Sequence, residues 1–295
     1  MPNSPKLNFL GDEVECTGFE ASKVVIIPVL SEETVSYGKG ASEGPGAILK
    51  ASAYLEAYDI EYEKEVKDNW IYTENFIDDN WQNKLKSCLN SVLERKKFPV
   101  IIGGEHSISY PAAKVLLTYF PDMSVLQFDA HSDLRDIYEG RKDSHACVMK
   151  RIRDLGVNTI GVGMRSMCSQ EAELIKREKI PIFTTHYIRK HGNWRDKVLH
   201  KLGQRVYITF DVDVFDPSFI PSTGTPEPGG LFWYEIMDFM KYLAESGKDV
   251  IGFDLVEFAP IKCLHGPDYS MAKLILKLIL LFSDRNNDEP HIRGI

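Results

Sequence analysis

Three short runs hold the residues best able to do chemistry: Gly103-Gly104-Glu105-His106, Asp129-Ala130-His131-Ser132-Asp133 and Asp211-Val212-Asp213. Each closes an apolar stretch: Phe98-Pro99-Val100-Ile101-Ile102, Met123-Ser124-Val125-Leu126-Gln127-Phe128 and Val206-Tyr207-Ile208-Thr209-Phe210. An unpartnered buried charge is costly, so carboxylates clustered where buried strands end call for something positive beside them. A metal centre meets that need. The candidate ligands are His106, Asp129, His131, Asp133, Asp211 and Asp213, two imidazoles and four carboxylates without a thiolate. An oxygen-rich set with some imidazole suits manganese or a comparable octahedral divalent ion. One such cation would leave roughly two of the negative charges uncompensated, whereas two balance all four, and paired metals about 3.5–4 Å apart are a hydrolytic arrangement. Taken singly, each piece has an ordinary explanation: Asp-x-Asp is commonly a turn, and a lone histidine near a turn is commonly just hydrogen-bonded. Their coincidence at three strand exits carries the metal reading.

Those exits need a scaffold. Strands are expected at residues 24–29, 99–102, 124–128, 158–162, 180–184, 205–210 and 250–255. Most are continuous apolar runs, the mark of strands buried on both faces. Helical patterns lie between them at 44–57, 107–119, 144–155, 170–178, 233–246 and 268–282. Such alternation implies βαβ units and a mostly parallel sheet covered on both faces, an α/β fold. Ligands of open α/β sheets bind outside the carboxyl ends of the strands, where all three runs fall. Gly103 and Gly104 permit a close backbone approach there.

The bulk composition is that of a water-exposed globular protein: 295 residues, 43% hydrophobic and 26% charged. A net charge of −8 argues against a general nucleic-acid surface. With no repeat, low-complexity tract or long Pro/Gly linker, one domain spanning 1–295 is the simpler reading. The opening Met-Pro-Asn-Ser-Pro-Lys lacks the layout of a secretory signal. No run approaches a membrane span; the longest apolar one, 274–282, is interrupted by Lys277 and fits an amphipathic helix. The five cysteines are scattered without CxxC spacing and read as reduced thiols, which places the protein in the cytoplasm.

The three runs resemble the signature segments of the ureohydrolases, the arginase/agmatinase family, and the match extends through Phe210-Asp211-Val212-Asp213-Val214-Phe215-Asp216-Pro217. It continues through Pro221-Ser222-Thr223-Gly224-Thr225-Pro226-Glu227-Pro228-Gly229-Gly230-Leu231 and Gly252-Phe253-Asp254-Leu255-Val256-Glu257. Nearer the start, Ser36-Tyr37-Gly38 and Gly44-Pro45-Gly46-Ala47-Ile48 look like the family's early loop and following helix. The resemblance implies a three-layer α/β/α arginase-like fold with two Mn2+ per subunit. One ion would be held by His106, Asp129, Asp133 and Asp211, the other by His131, Asp129, Asp211 and Asp213, with Asp129 and Asp211 bridging. A metal-bridging hydroxide would attack the guanidinium carbon. Asp133 would pass a proton to the leaving amine, His145 would act as proton shuttle beside the substrate, and Glu257 would pair with the guanidinium. The resemblance also implies a homo-trimer or homo-hexamer.

Agmatine, giving putrescine and urea, is the expected substrate, since Leu134-Arg135-Asp136-Ile137-Tyr138-Glu139-Gly140-Arg141-Lys142-Asp143 before His145 is similar to the agmatinase pattern. Asp136 or Glu139 would suit its ammonium tail, while Arg141 and Lys142 could cancel them. The rival readings are guanidinobutyrase, arginase or formiminoglutamase activity, or a non-catalytic metal-binding relative. Thr225 and Thr223 either line the pocket or satisfy turn backbone. Asp216 is expected to brace its loop. Cys147 is not expected to be a nucleophile, and His186, His191, His200, His265 and His291 are read as surface or structural. After Glu257 the chain departs from the family pattern through Phe258 to Ser270, which leaves the substrate open.

Overall fold

The computed structural model describes residues 7–283, so His291 lies outside the described residues. Among the described residues ten strands are formed: β1 Val24–Pro28, β2 Tyr58–Asp59, β3 Lys64–Glu65, β4 Ile71–Thr73, β5 Phe98–Ile102, β6 Ser124–Phe128, β7 Asn158–Val162, β8 Ile182–Phe183, β9 Arg205–Asp211 and β10 Asp249–Val256. The helices are α1 Gly44–Ser52, α2 Trp81–Glu94, α3 Ser109–Tyr119, α4 Val148–Asp154, α5 Ser169–Glu178, α6 Thr185–Lys190, α7 Trp194–Lys201, α8 Trp233–Glu245 and α9 His265–Phe282. Eight strands make one sheet in the order β4-β1-β5-β10-β9-β6-β7-β8, with every pairing parallel; β2 and β3 form a separate antiparallel pair.

Alternation along the strands builds two cores. Val24 and Ile26 pack on one side with residues of α1, α6, α7, α8 and α9, while Val25 and Ile27 pack on the other with α2, α3, α4 and α5. The result is the expected three-layer α/β/α arrangement. A register shift in β10 between Val250 and Gly252 falls beside Pro99 of β5. Proline has no N–H for the ladder, and a Cβ on Gly252 would lie 2.9 Å from the Pro99 carbonyl oxygen. The absence of a side chain at Gly252 lets β10 and β5 approach there.

Five expectations change. The first helix closes at Ser52 rather than running to 57; the Ser52 hydroxyl bonds its own helix at Leu49 and receives the Leu10 N–H. The 180–184 strand shrinks to Ile182–Phe183, and α9 starts at His265, three residues before the expected position. Helix α2 is absent from the sequence expectation, although Trp81, Leu85, Leu89 and Val92 form its buried stripe. Nor is α9 amphipathic: it is buried almost all round, Lys277 included. The Lys277 ammonium bonds the carboxylates of Asp59 at 2.9 Å and Glu61 at 2.6 Å, and lies 4.2 Å from the Tyr62 ring centre. The β2–β3 hairpin thus supplies the carboxylates that neutralise this lysine inside the helical layer.

Breaking such a pair on one side leaves a buried charge alone. Lys277→Ala should lose about 3–5 kcal/mol in chemical denaturation, and Lys277→Met with Asp59→Leu should recover most of it. Equal stability of Lys277→Ala and wild type would show the pair to be dispensable.

Candidate active site

The four central strands β5, β10, β9 and β6 end side by side, and every donor named above lies at or just beyond one of their carboxyl ends. His106 follows β5, Glu257 follows β10, Asp211 ends β9 with Asp213 next to it, and Asp129, His131 and Asp133 follow β6. His106 Nδ1 lies 3.0 Å from Asp133 Oδ2, 3.3 Å from Asp129 Oδ2 and 3.5 Å from Asp211 Oδ2. His131 Nδ1 lies 2.8 Å from Asp213 Oδ2 and 3.7 Å from Asp129 Oδ1. Two donor groups capable of holding an ion result, His106–Asp129–Asp133 and Asp129–His131–Asp213, each with ligand atoms within 4.8 Å of one another. Asp129 belongs to both. Asp211 joins neither group, but its Oδ2 faces His106 while its Oδ1 takes the Asp213 N–H at 2.9 Å.

His106 supplies the test of whether these residues fit a cation. Its Nε2 meets Thr209 Oγ1 at 2.8 Å, Thr209 donates to Asp254 Oδ1 at 2.7 Å, and Tyr207 donates to Asp254 Oδ2 at 2.6 Å. With Nε2 engaged, Nδ1 is buried and has no hydrogen-bond partner although three carboxylates surround it. A lone pair facing carboxylates is untenable; a proton or a cation has to sit between them.

Burial works against charge on His131, yet the Asp129 and Asp213 carboxylates push its pKa up to about 12. His106 is held well above the ordinary histidine value by Asp129 and Asp133 despite complete burial. Burial, then neighbouring carboxylates, raise Asp133, Asp211 and Asp213, and burial pushes Glu257 up to about 8. Burial opposes ionisation of Asp129, but both histidines hold it below its usual range.

Local backbone explains the placement. Asp133 adopts φ 52°, and its carbonyl receives the N–H groups of Met149 and Lys150 at the start of α4. Glu171 on α5 takes the Ser132 hydroxyl and the Leu134 N–H, locking the turn around Asp133. Gly104 lies flat on the chain leaving β1, where a Cβ would come within 1.8 Å of the Ser31 carbonyl oxygen. The Arg165 guanidinium donates to carbonyls of Gly163, Asp213, Val214, Phe215, Glu227 and Pro228, tying the exits of β7 and β9 to the 227–228 loop. Sequence reading missed Glu171, Arg165, Tyr207, Thr209 and Asp254. Thr209 and Asp254 did carry a signal, as polar residues inside otherwise apolar strands.

A cavity of about 280 Å³ opens onto the cluster and is lined by His131, Asp133, His145, Asp211, Asp213, Thr225 and Glu257, among others. Glu257, at φ 62°, accepts the His106 N–H on Oε1 at 2.6 Å. Thr225 lines this cavity; Thr223 does not. Asp216 braces its loop by accepting from Ser218, Gly229 and Gly230.

The 134–143 loop differs from its expected role. Asp136 pairs with Arg151, Arg141 pairs with Asp143 and Glu33, and neither Glu139 nor Lys142 lines the cavity. Arg135 and Tyr138 line it instead, with the guanidinium 5.2 Å from the Tyr138 ring centre. The unusual stretch after Glu257 turns away: Ala259 N–H bonds Ser222, and no residue from 258 to 270 lines the cavity. Burial pushes the Cys147 thiol up to about 11, the wrong direction for a nucleophile. His186, His191, His200 and His265 also lie off the cavity.

The arginase-family profile matches residues 22–281. The chain belongs to the arginase family. It is 39% identical over 290 residues to the N(1)-aminopropylagmatine ureohydrolase of Synechocystis sp., covering 94% of each chain. It is 35% identical to the agmatinase of Bacillus cereus, covering 82% of this chain and 86% of that one. The agmatine ureohydrolase structure of Thermoplasma volcanium superposes with a TM-score of 0.81 at 31% identity, covering 94% of each chain. The fold is thus that of the arginase-family ureohydrolases, and no helix among the described residues is long and apolar enough to cross a membrane.

The raised groups set a pH dependence for metal-free protein. Glu257, near 8 when folded, holds a proton that the unfolded chain gives up around 4.5; His131, near 12, keeps one that the unfolded chain gives up around 6.5. Between pH 6 and 9 the folded state therefore binds more protons, and its stability falls as pH rises. Thermal melts after chelation should show this decline, and the gain from saturating Mn2+ should grow across the same window. Metal-free protein most stable at pH 9 would contradict it.

Proposed function

We propose that this protein hydrolyses a linear guanidino substrate at a binuclear manganese centre, with agmatine yielding putrescine and urea. The observation that carries the reading is His106 Nδ1, buried and unbonded among three carboxylates. His106, Asp129, Asp133 and Asp211 would hold one ion; His131, Asp129, Asp211 and Asp213 would hold the other. When bound, the pair lowers the pKa of water and supplies a hydrolytic nucleophile at neutral pH.

The chain's own groups do the rest. Glu257 has Oε2 and a second Oε1 lone pair for the guanidinium, and that cation would draw its carboxyl back to the ionised form. Asp133 is placed to move a proton to the leaving amine, and His145, on the cavity wall, to exchange it with solvent. Thr225 contributes to the substrate wall. The names printed for the Synechocystis and Bacillus relatives support substrates with a cationic tail. We place the protein in the cytoplasm as a homo-trimer or homo-hexamer, on the family resemblance and its free thiols. A second reading, a guanidino acid such as guanidinobutyrate, is favoured by Arg135 on the cavity wall.

Agmatine, N(1)-aminopropylagmatine, guanidinobutyrate and arginine, each incubated with Mn2+-loaded protein, should give the fastest urea release from agmatine; preference for guanidinobutyrate would transfer the assignment to the second reading. Asp129→Ala and Asp211→Ala should each lose bound metal by elemental analysis together with at least about a thousandfold in turnover. Two ions retained in either variant would refute its bridging role. Glu257→Gln should keep both ions and raise KM at least about tenfold.

A further inference from the structure

His145 is held by residues far away in sequence. Thr34, on the loop leaving β1, receives the His145 backbone N–H on Oγ1 at 3.0 Å, and the same oxygen lies 3.1 Å from His145 Nδ1. Thr34 is itself held by Glu105, whose Oε2 accepts the N–H groups of Glu33 at 3.0 Å and Thr34 at 2.6 Å and the Thr34 hydroxyl at 3.0 Å. Glu105 Oε1 accepts the Ser107 hydroxyl at 2.5 Å, and both Thr34 and Glu105 are buried.

A threonine hydroxyl has one proton and two lone pairs. Glu105 Oε2 already receives two N–H groups, which can only donate, so it is an acceptor and the charge-assisted partner for the Thr34 proton. Thr34 Oγ1 is then an acceptor toward both nitrogens of His145 that it meets. The imidazole must bring the hydrogen itself. Ser144 Oγ, 3.3 Å from the same Nδ1, can share that hydrogen as a second, longer acceptor. The Tyr138 ring, with centroids 5.7 Å apart, packs edge-on against the imidazole and limits its rotation.

We infer that Thr34, oriented by Glu105, is a positioning residue that keeps a hydrogen on His145 Nδ1 and leaves Nε2 unprotonated and ready to accept. The inference rests on reading His145 as the proton carrier. It gives Glu105, the residue before a metal-ligand candidate, a task of its own: the Gly-Gly-Glu-His run places His106 at the metal cluster and, through Thr34, sets the tautomer of His145. In the Nε2–H tautomer the lone pair would sit on Nδ1, turned toward Thr34 and Ser144, and Nε2 would have none to receive a proton.

The direct measurement is the 15N spectrum of histidine-labelled protein loaded with diamagnetic Zn2+, with the His145 signals identified by their loss in His145→Asn. The inference expects a protonated Nδ1 and a bare Nε2 in the wild type, a mixture in Thr34→Val, and the wild-type pattern again in Thr34→Ser. Ser144→Ala should leave the tautomer unchanged. In the Mn2+ enzyme, Thr34→Val should lower kcat about tenfold or more with KM within about twofold and both ions retained, and Thr34→Ser should recover it. A bare Nδ1 in the wild type overturns the inference, whether or not any variant folds; so does a tautomer that follows Ser144→Ala and ignores Thr34→Val. Full urea release by His145→Asn would instead remove the shuttle role from His145 while the spectrum still reports on Thr34.

Discussion

Four aspartates and two histidines share the carboxyl-end edge of one sheet, and among them only His131 keeps appreciable access to water. Left to themselves these groups cannot all adopt their ordinary charge states. Protons or cations must lie between them, and the pKa shifts record that competition: carboxyls driven up by burial and one another, imidazoles held up by the carboxylates. Most of the surrounding structure holds this uncomfortable arrangement in place. Arg165 spans six carbonyls, Glu171 pins the turn around Asp133, and the Thr209–Asp254–Tyr207 chain grips the far side of His106. A cluster that repels itself needs walls that do not yield.

A parallel sheet suits that purpose. Its strands deliver their carboxyl ends to the same edge, so residues about a hundred positions apart arrive as neighbours without long loops. Thr209 and Asp254 are register partners on β9 and β10, which makes their hydrogen bond a consequence of strand pairing. The chain leaving β1 then runs over the exit of β5 and reaches His145. This route is possible because Gly104 has no side chain to hold it away from Ser31.

The metal-site candidates were legible because buried strands seldom end in carboxylates, and the parallel sheet was legible because its strands are apolar on both faces. Buried polar supports were harder to see. Lys277 looked like the solvent side of an amphipathic helix, but its partners Asp59 and Glu61 lie some two hundred residues away, in a stretch where the sequence pattern marks no element. The charged 134–143 loop invited a role in tail recognition. In the fold its charges pair with one another and with Arg151 and Glu33, and its inner residues Arg135 and Tyr138 face the cavity.

The sequence by itself determined the donor set, the parallel α/β scaffold and the family, since each depends on residue type, local order or close spacing. Tertiary structure alone decided which aspartate the two donor groups share, which nitrogen of His106 is left unbonded, and which residues hold His145 and line the cavity. Those outcomes depend on distances between segments that adjoin only after the sheet has formed. Hydrogen bonds and ion pairs act over a few ångströms, and a linear order of residues does not encode that range.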